Sequence, residues 1–331
     1  MESRLLVYGD VGIDIHIRTT YQPKIGEDAK VEEILFQPGG SAANCAAITG
    51  RLGIPTTFIG FVGKDQFGES LKKDLKGHGV STKYVFTVEG NSGITIAIRE
   101  ALGERTFYSY RGVNADGELP KISMNKFSDC TYLHISGYSF QNENSRKNVQ
   151  YLMKMAKQSN TLISLDPSYW FSREYYHKNP EILSEIDIIF PNQEEVRLIT
   201  GFDDPIRASK MLLDMGPKTV IIKLGPEGSY VASSNEAHHL PAIENVEVID
   251  STGAGDAFCG GFIFGKVIGL GNKESAIIGN IISSNIITHI GGHSGAPSCK
   301  NLTRMLREAK EKQLAEKLSA WFKNSLINRP N

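Results

Sequence analysis

Short apolar runs that stop at Gly, Asp, Asn or Ser set the rhythm of the chain: RLLVYGDVG, TTFIGFVG, YLHISGY, TLISLDPS, DIIFPN and TVIIKLG. They lack the strict apolar–polar alternation of a half-exposed strand, so they read as strands covered on both faces, as in a parallel sheet. Helical stretches lie between them. SAANCAAITGRLG ends on a glycine suited to the position after a helix C-cap; ESLKKDLKGHG and SRKNVQYLMKMAKQ follow, and QEEVRLITG closes on another glycine. Strand and helix alternating in this way predict an α/β fold: a doubly wound, mainly parallel sheet flanked by helices, in one domain over residues 1–331.

Two stretches depart from that rhythm. Residues 13–36 and 92–111 alternate apolar and polar positions without an intervening helix; ITIAIRE puts Ile94, Ile96 and Ile98 on one face, and RTFYSYR follows a Leu-Gly-Glu turn. They predict a small β-sheet lid inserted into the main domain. From Asn301 to about Ile327 the tail is amphipathic, with Met305, Leu306, Leu318, Trp321 and Phe322 among its apolar positions, and predicts one or two packed helices.

Composition narrows the class of function. The formal net charge is −1 and no long run carries one sign, so no nucleic-acid partner is expected. Cys45, Cys130, Cys259 and Cys299 lie far apart with no CxxC pair, which reads as reduced thiols. No stretch approaches the roughly 18 apolar residues of a membrane span. The start, MESRLLVYGDVG, meets Gly and Asp too early for a signal peptide. The expected location is the cytoplasm, away from membranes.

The segment DSTGAGDAF, Asp250 to Phe258, carries the candidate chemistry. As a dinucleotide fingerprint it fails, because the sixth position of its G-x-G-x-x-G pattern is Phe258. No P-loop pattern exists in the chain, and a plain glycine turn with an Asp helix cap is the simplest alternative. The helix that follows, AFCGGFIFGKVIG, is rich in glycine and implies close packing behind the loop. A chain entering a helix through Gly253, Ala254 and Gly255 aims backbone N–H groups at one point, which makes an anion site. A carboxylate beside an anion is unfavourable unless it handles a proton, so Asp256 is the candidate base for phosphoryl transfer.

With that segment the chain resembles the ribokinase-like, or PfkB, carbohydrate kinases. PGGSAANCA (Pro38 to Ala46) is similar to their N-terminal glycine signature, and Asp14 matches their early aspartate. PNQEE supplies an N-x-x-E element as Asn192 and Glu195, KLGPEG a G-x-x-G loop as Gly225 and Gly228, and GGHSGAPS the closing segment. The resemblance spans roughly residues 4–310 in the family's order. Local motifs are nearest to 2-keto-3-deoxygluconate kinases (FYSYRGVNA, HSGAP) and to ribokinase (RGVNA).

The resemblance implies an ATP-dependent kinase acting on a hydroxyl of a small sugar or sugar acid, with nucleosides as an alternative acceptor. Asp256 would be the base, and Gly253, Ala254 and Gly255 the anion hole. Asp14, Gly39, Gly40, Asn44 and Arg111 would hold the sugar together with Asp256. Asn192 and Glu195 would order water around Mg²⁺; Lys223, Gly225, Gly228 and Gly255 would line the nucleotide site, with Asn280 beside the adenine. Asp250, Thr252, Gly291 and Ser298 would bind a monovalent cation, K⁺. One departure stands out: where the keto-deoxygluconate kinases carry Asp-x-Asn-Tyr-Arg, this chain has DPSYW with Trp170 in the Arg position, leaving Arg111 as the cation for a sugar carboxylate. His238, His239, His289 and His293 show no metal-binding spacing and read as loop or surface residues. The lid is expected to pair with a second copy, giving a homodimer, the alternative being a monomer whose lid folds down on its own domain. The rivals from other classes are a Rossmann-type NAD-dependent oxidoreductase and a catalytically silent binding protein.

Overall fold

A computed structural model describes residues 4–21, 23–99, 105–122 and 130–327. In chain order its strands are β1 (Arg4–Tyr8), β2 (Gly12–Thr19), β3 (Val31–Gly39), β4 (Thr56–Gly63), β5 (Val80–Val88), β6 (Gly93–Arg99), β7 (Arg105–Tyr110), β8 (Cys130–Ser136), β9 (Leu162–Asp166), β10 (Ile188–Ile189), β11 (Thr219–Lys223), β12 (Ser229–Ser233) and β13 (Ala237–Leu240). The helices are α1 (Ser41–Arg51), α2 (Gly68–Gly77), α3 (Val113–Asp116), α4 (Glu143–Gln158), α5 (Tyr176–Lys178), α6 (Gln193–Thr200), α7 (Pro205–Asp214), α8 (Ala254–Val267), α9 (Asn272–Ile286), α10 (Cys299–Glu308) and α11 (Lys312–Ile327).

Nine strands form the main sheet in the order β13-β12-β11-β10-β9-β8-β1-β4-β5. From β11 to β5 the pairing is parallel, and β12 and β13 extend it antiparallel. The absence of alternation in the apolar runs now has its cause. Leu5 and Val7 of β1 enter a core shared with α1, α2 and α8 to α11, while Leu6 and Tyr8 enter a second core with α4, α6 and α7. A strand covered on both faces has no polar side to show. Glycine ends α6 as expected: Gly201 adopts the left-handed conformation (φ +76°). The tail forms two helices, α10 and α11, anchored in the core by Leu302, Leu306, Leu314 and Leu318.

The smaller sheet has the order β3-β2-β6-β7. Its register puts Phe36, Ile15, Ile96 and Tyr108 in one row across all four strands. Phe36 and Tyr108 are 57% and 59% exposed. The adjacent row, Gln37, Asp14, Thr95 and Ser109, belongs to the opposite face. The Leu102-Gly103-Glu104 turn expected between the last two strands lies outside the described residues.

Strand β1 sits where the strand order reverses, with β4 on one side and β8 on the other. Open α/β sheets bind ligands in the crevice beyond the carboxyl ends of such strands. Asp10 and Tyr138 follow β1 and β8, and both line a cavity there. Among the described residues, no helix is long and apolar enough to cross a membrane. All four cysteines are buried and outside any disulfide.

Candidate active site

Two cavities open on either side of the start of α8. One, about 540 Å³, is lined by Asp14, Gly40, Asn44, Arg111, Gly253 and Asp256 together with lid residues Thr95 and Ser109. The other, about 680 Å³, is lined by Lys223, Gly225, Gly228, Ala254, Gly255 and Asn280. Ser251 lines both.

Gly253 makes this junction possible. It caps α8 in the left-handed region (φ +74°), and a Cβ there would collide with the backbone of Gly292. The helix it opens packs against α1 and α9. The first N–H groups of a helix have no intrahelical acceptor, so Gly255 and Asp256 present theirs at the boundary between the cavities. Ala254 N–H donates to the Ser251 carbonyl over a long 3.3 Å, a bond with which an anion would compete.

Asp256 stands in the first turn of α8, where Ser41 Oγ donates to its Oδ1 (2.8 Å) and Asn44 Nδ2 to its Oδ2 (2.7 Å). Burial first, and then the Asp166 carboxylate, push its pKa up to about 6; the Asn44 and Ser41 bonds and Lys223 oppose the rise. Asp14 is 7% exposed, and its pKa is raised to about 7 by burial and then by Asp256, with His293 opposing. Gly39 lies against it so closely that a Cβ would strike the Asp14 carboxylate.

Lys223 lines the larger cavity. Its Nζ donates to Asp166 Oδ1 at 2.5 Å, and a Cβ placed on Gly255 would lie 3.1 Å from Nζ. Burial works to lower the ammonium's pKa, but Asp166 and the neighbouring Cys259 and Glu195 hold it above its ordinary value. A buried cation thus lies against the first turn of α8, where an anion would sit.

Arg111 lines the smaller cavity, but not as the open cation expected for a sugar carboxylate. Its Nε and Nη2 donate to the two carboxylate oxygens of Asp10 (2.8 and 2.6 Å), and Nη1 donates to Asn142 Oδ1 (2.7 Å). The pair is nearly buried, at 11% and 17% exposure, so Asp10 neutralises the guanidinium. Trp170 is placed elsewhere, beside Tyr175 in a separate surface pocket.

Asn192 and Glu195 form a capping box at the start of α6. Asn192 Oδ1 accepts from Glu195 N (2.8 Å) and Glu195 Oε2 accepts from Asn192 N (2.9 Å). Burial pushes the Glu195 carboxyl up, against the pull of Lys223. Of the four expected cation ligands, three are joined: Asp250 Oδ1 accepts from Thr252 N and Oγ1, and Oδ2 from Gly291 N. Burial pushes the Asp250 carboxyl up, yet these donors hold it below its usual range. The Ser298 hydroxyl caps α10 through Asn301 N.

The histidine reading needs correction. His293 is 2% exposed, and its ring meets Asn44, Asp74 and His78 rather than a loop surface. Asp74, His78 and His293 bring ligand-type atoms within 4.8 Å of one another, the one such group of three found among the described residues. Spacing could not find it, because Asp74 lies in α2, His78 caps that helix and His293 comes from the closing segment. Asp10, Ser41 and Asp166 were also missed, although each lies within or beside a quoted run.

A family model described as pfkB family carbohydrate kinase matches residues 2–299. The chain belongs to the pfkB family of carbohydrate kinases. The ATP-dependent 6-phosphofructokinase of Thermoanaerobacterium thermosaccharolyticum is 28% identical over 309 residues, covering 91% of this chain and 93% of that one. A 5-dehydro-2-deoxygluconokinase of Clostridium beijerinckii is 28% identical over 320 residues, covering 92% of each. The structure of Arabidopsis thaliana ribokinase complexed with ribose and ATP superposes with a TM-score of 0.80 at 25% identity, covering 92% of this chain and 99% of that one. This chain is therefore a carbohydrate kinase with the ribokinase-like fold and its smaller lid sheet. The oxidoreductase and silent-binder readings fall away.

Proposed function

We propose that this kinase transfers the γ-phosphoryl group of ATP to a hydroxyl of a neutral polyhydroxylated substrate of the pentose or hexose type. The observation that carries it is the charge of the smaller cavity. Its described lining holds three carboxylates, Asp10, Asp14 and Asp256, and one cation, Arg111. Asp10 uses Arg111 up, so an acidic or phosphorylated sugar would meet Asp14 and Asp256 with no free cation. Two like charges about 4 Å apart repel by ~4 kcal/mol at an effective dielectric of 20. A neutral polyol meets the same carboxylates as hydrogen-bond acceptors. This reading sets the chain apart from relatives whose names specify a sugar phosphate or a sugar acid. A nucleoside is the second reading, favoured by Phe107, Tyr110 and Tyr138 in the lining.

The larger cavity suits a nucleotide, with Gly225, Gly228 and Asn280 in its lining. The transferred group would rest against the first turn of α8, where the Gly255 N–H and the Lys223 ammonium receive its charge. Asp256 Oδ takes the proton of the attacking hydroxyl while Ser41 and Asn44 hold the carboxylate in place. Asp14, backed by Gly39 and Gly40, grips the remaining hydroxyls. Asn192 and Glu195 are both committed to the capping box, so they would order water around Mg²⁺, which would supply charge neutralisation at the phosphates. K⁺ would lie by Asp250, Thr252 and Gly291 and add positive charge behind the anion hole; Ser298 serves as a cap.

The test is an ADP-release screen over ribose, fructose, a sugar acid, a sugar phosphate and nucleosides. Neutral acceptors are expected to exceed the anionic ones by at least tenfold in kcat/KM. An anionic sugar turned over as well as ribose or fructose would overturn the assignment.

A further inference from the structure

Behind Asp256 runs a line of polar side chains drawn from three parts of the chain. Asn44 Nδ2 donates to Asp256 Oδ2 at 2.7 Å, Asn44 Oδ1 lies 2.7 Å from His293 Nδ1, and His293 Nε2 lies 2.8 Å from Asp74 Oδ2. Their hydrogens follow from elimination. A carboxylate acting as base can only accept, so Asn44 must turn its NH₂ toward Asp256. Its carbonyl oxygen then faces His293 and requires a proton on Nδ1. The Asp74 carboxylate also accepts, so a second proton lies between Nε2 and Oδ2. A metal shared by His293 and Asp74 is a poorer account of that contact. Tetrahedral ligands at about 2.0 Å stand about 3.3 Å apart, whereas 2.8 Å is the length of a charge-assisted hydrogen bond.

The geometry points to His293, steered by Asp74, as a positioning residue for the catalytic base, a role resting on the assignment of Asp256 as that base. Asp74 fixes the proton arrangement of the ring, the ring's Nδ1–H pins the Asn44 oxygen, and the amide is thereby barred from flipping. A flipped Asn44 would aim its oxygen at Asp256 Oδ2, acceptor against acceptor, and drive the carboxylate off its line to the hydroxyl. The inner part of the line is shielded from water, since Asn44 and His293 are each 2% exposed, while the Asp74 side chain at its outer end is 21% exposed. Neither His293 nor Asp74 lines the nucleotide cavity, so the arrangement acts on the chemical step.

The experiment compares His293→Ala, Asp74→Leu and Asp74→Asn in the full-length kinase, measuring kcat and the KM for ATP separately. His293→Ala and Asp74→Leu are expected to lower kcat by roughly tenfold or more, with the KM for ATP within about twofold. Asp74→Asn should recover most of that loss, because its amide can donate to Nε2 and leave the proton on Nδ1. Full kcat in His293→Ala, or equal losses in the two Asp74 variants, overturns the inference. If His293→Ala does not fold, the Asp74 pair decides alone. Asp256→Asn serves as the separate control. Should it stay active, the base assignment itself fails; should it be inactive while His293→Ala is not, only the positioning role fails.

Discussion

Asp256 carries opposed demands on one side chain. As a base it must be ionised, yet burial and Asp166 hold its pKa at about 6. Turnover should therefore rise with pH through about 6 and level off above it, and Asp256→Asn should lower kcat by at least ~10²-fold, the order of a general-base contribution. A pH–rate profile of both proteins checks this; near-normal turnover in the variant would remove Asp256 from the chemistry. For stability the sign reverses. A carboxyl whose folded pKa lies above its ordinary 3.8 stabilises the fold fully below that value and loses the contribution as pH rises through about 6. The asparagine amide can offer its oxygen to Asn44 and its NH₂ to the Ser41 hydroxyl. The inactive variant is thus expected to melt higher than the parent at pH 8, with the gap closing toward pH 4. The site holds a charge that the fold would shed, as function-bearing residues often do.

At the scale of elements, the loop from Asp250 to Gly253 and the closing segment act as one unit. Gly291 N–H bonds Asp250 Oδ2, and a Cβ on Gly253 would enter Gly292. Whatever orders this unit also orders the first turn of α8. Replacing a bulky organic cation with K⁺ at constant ionic strength is therefore expected to raise turnover, and identical rates in the two buffers would count against the cation site. That a glycine loop and an acidic helix start exist here was legible in DSTGAGDAF, since turn and cap chemistry are local. That the loop leans on Gly291, 41 positions downstream of Asp250, was not.

Across the whole molecule, the lid presents an apolar row, Phe36, Ile15, Ile96 and Tyr108, whose ends are more than half exposed. Ile15 packs against the main core and Phe36 stacks on Phe67, but the part of the row left exposed would be covered by a second copy across a two-fold axis. Ile96→Asp should split that dimer and raise ATP hydrolysis relative to sugar phosphorylation, because a lid that closes poorly admits water to the phosphoryl group. Light scattering and a coupled assay measure both, and a monomer in the unmodified protein would refute the pairing.

The α/β architecture, the extra sheet and the loop that opens α8 were legible because each rests on short-range pattern: burial on both faces, alternation, glycine at a helix boundary. Asp256 could be named from its own segment, and Asn44 and Asp14 only through the family resemblance that their runs carry. Tertiary packing alone decided how those groups are charged and aimed. Arg111 reads as a free cation until Asp10, 101 residues away, closes on it. His293 reads as a loop residue until Asn44, 249 residues away, and Asp74 enclose it. Lys223 becomes a buried cation only because Asp166 and the start of α8 meet there. Charge and proton placement depend on what lies within a few ångströms in a low-dielectric interior, and neighbours at that range are set by how the sheet and its helices pack, not by distance along the chain.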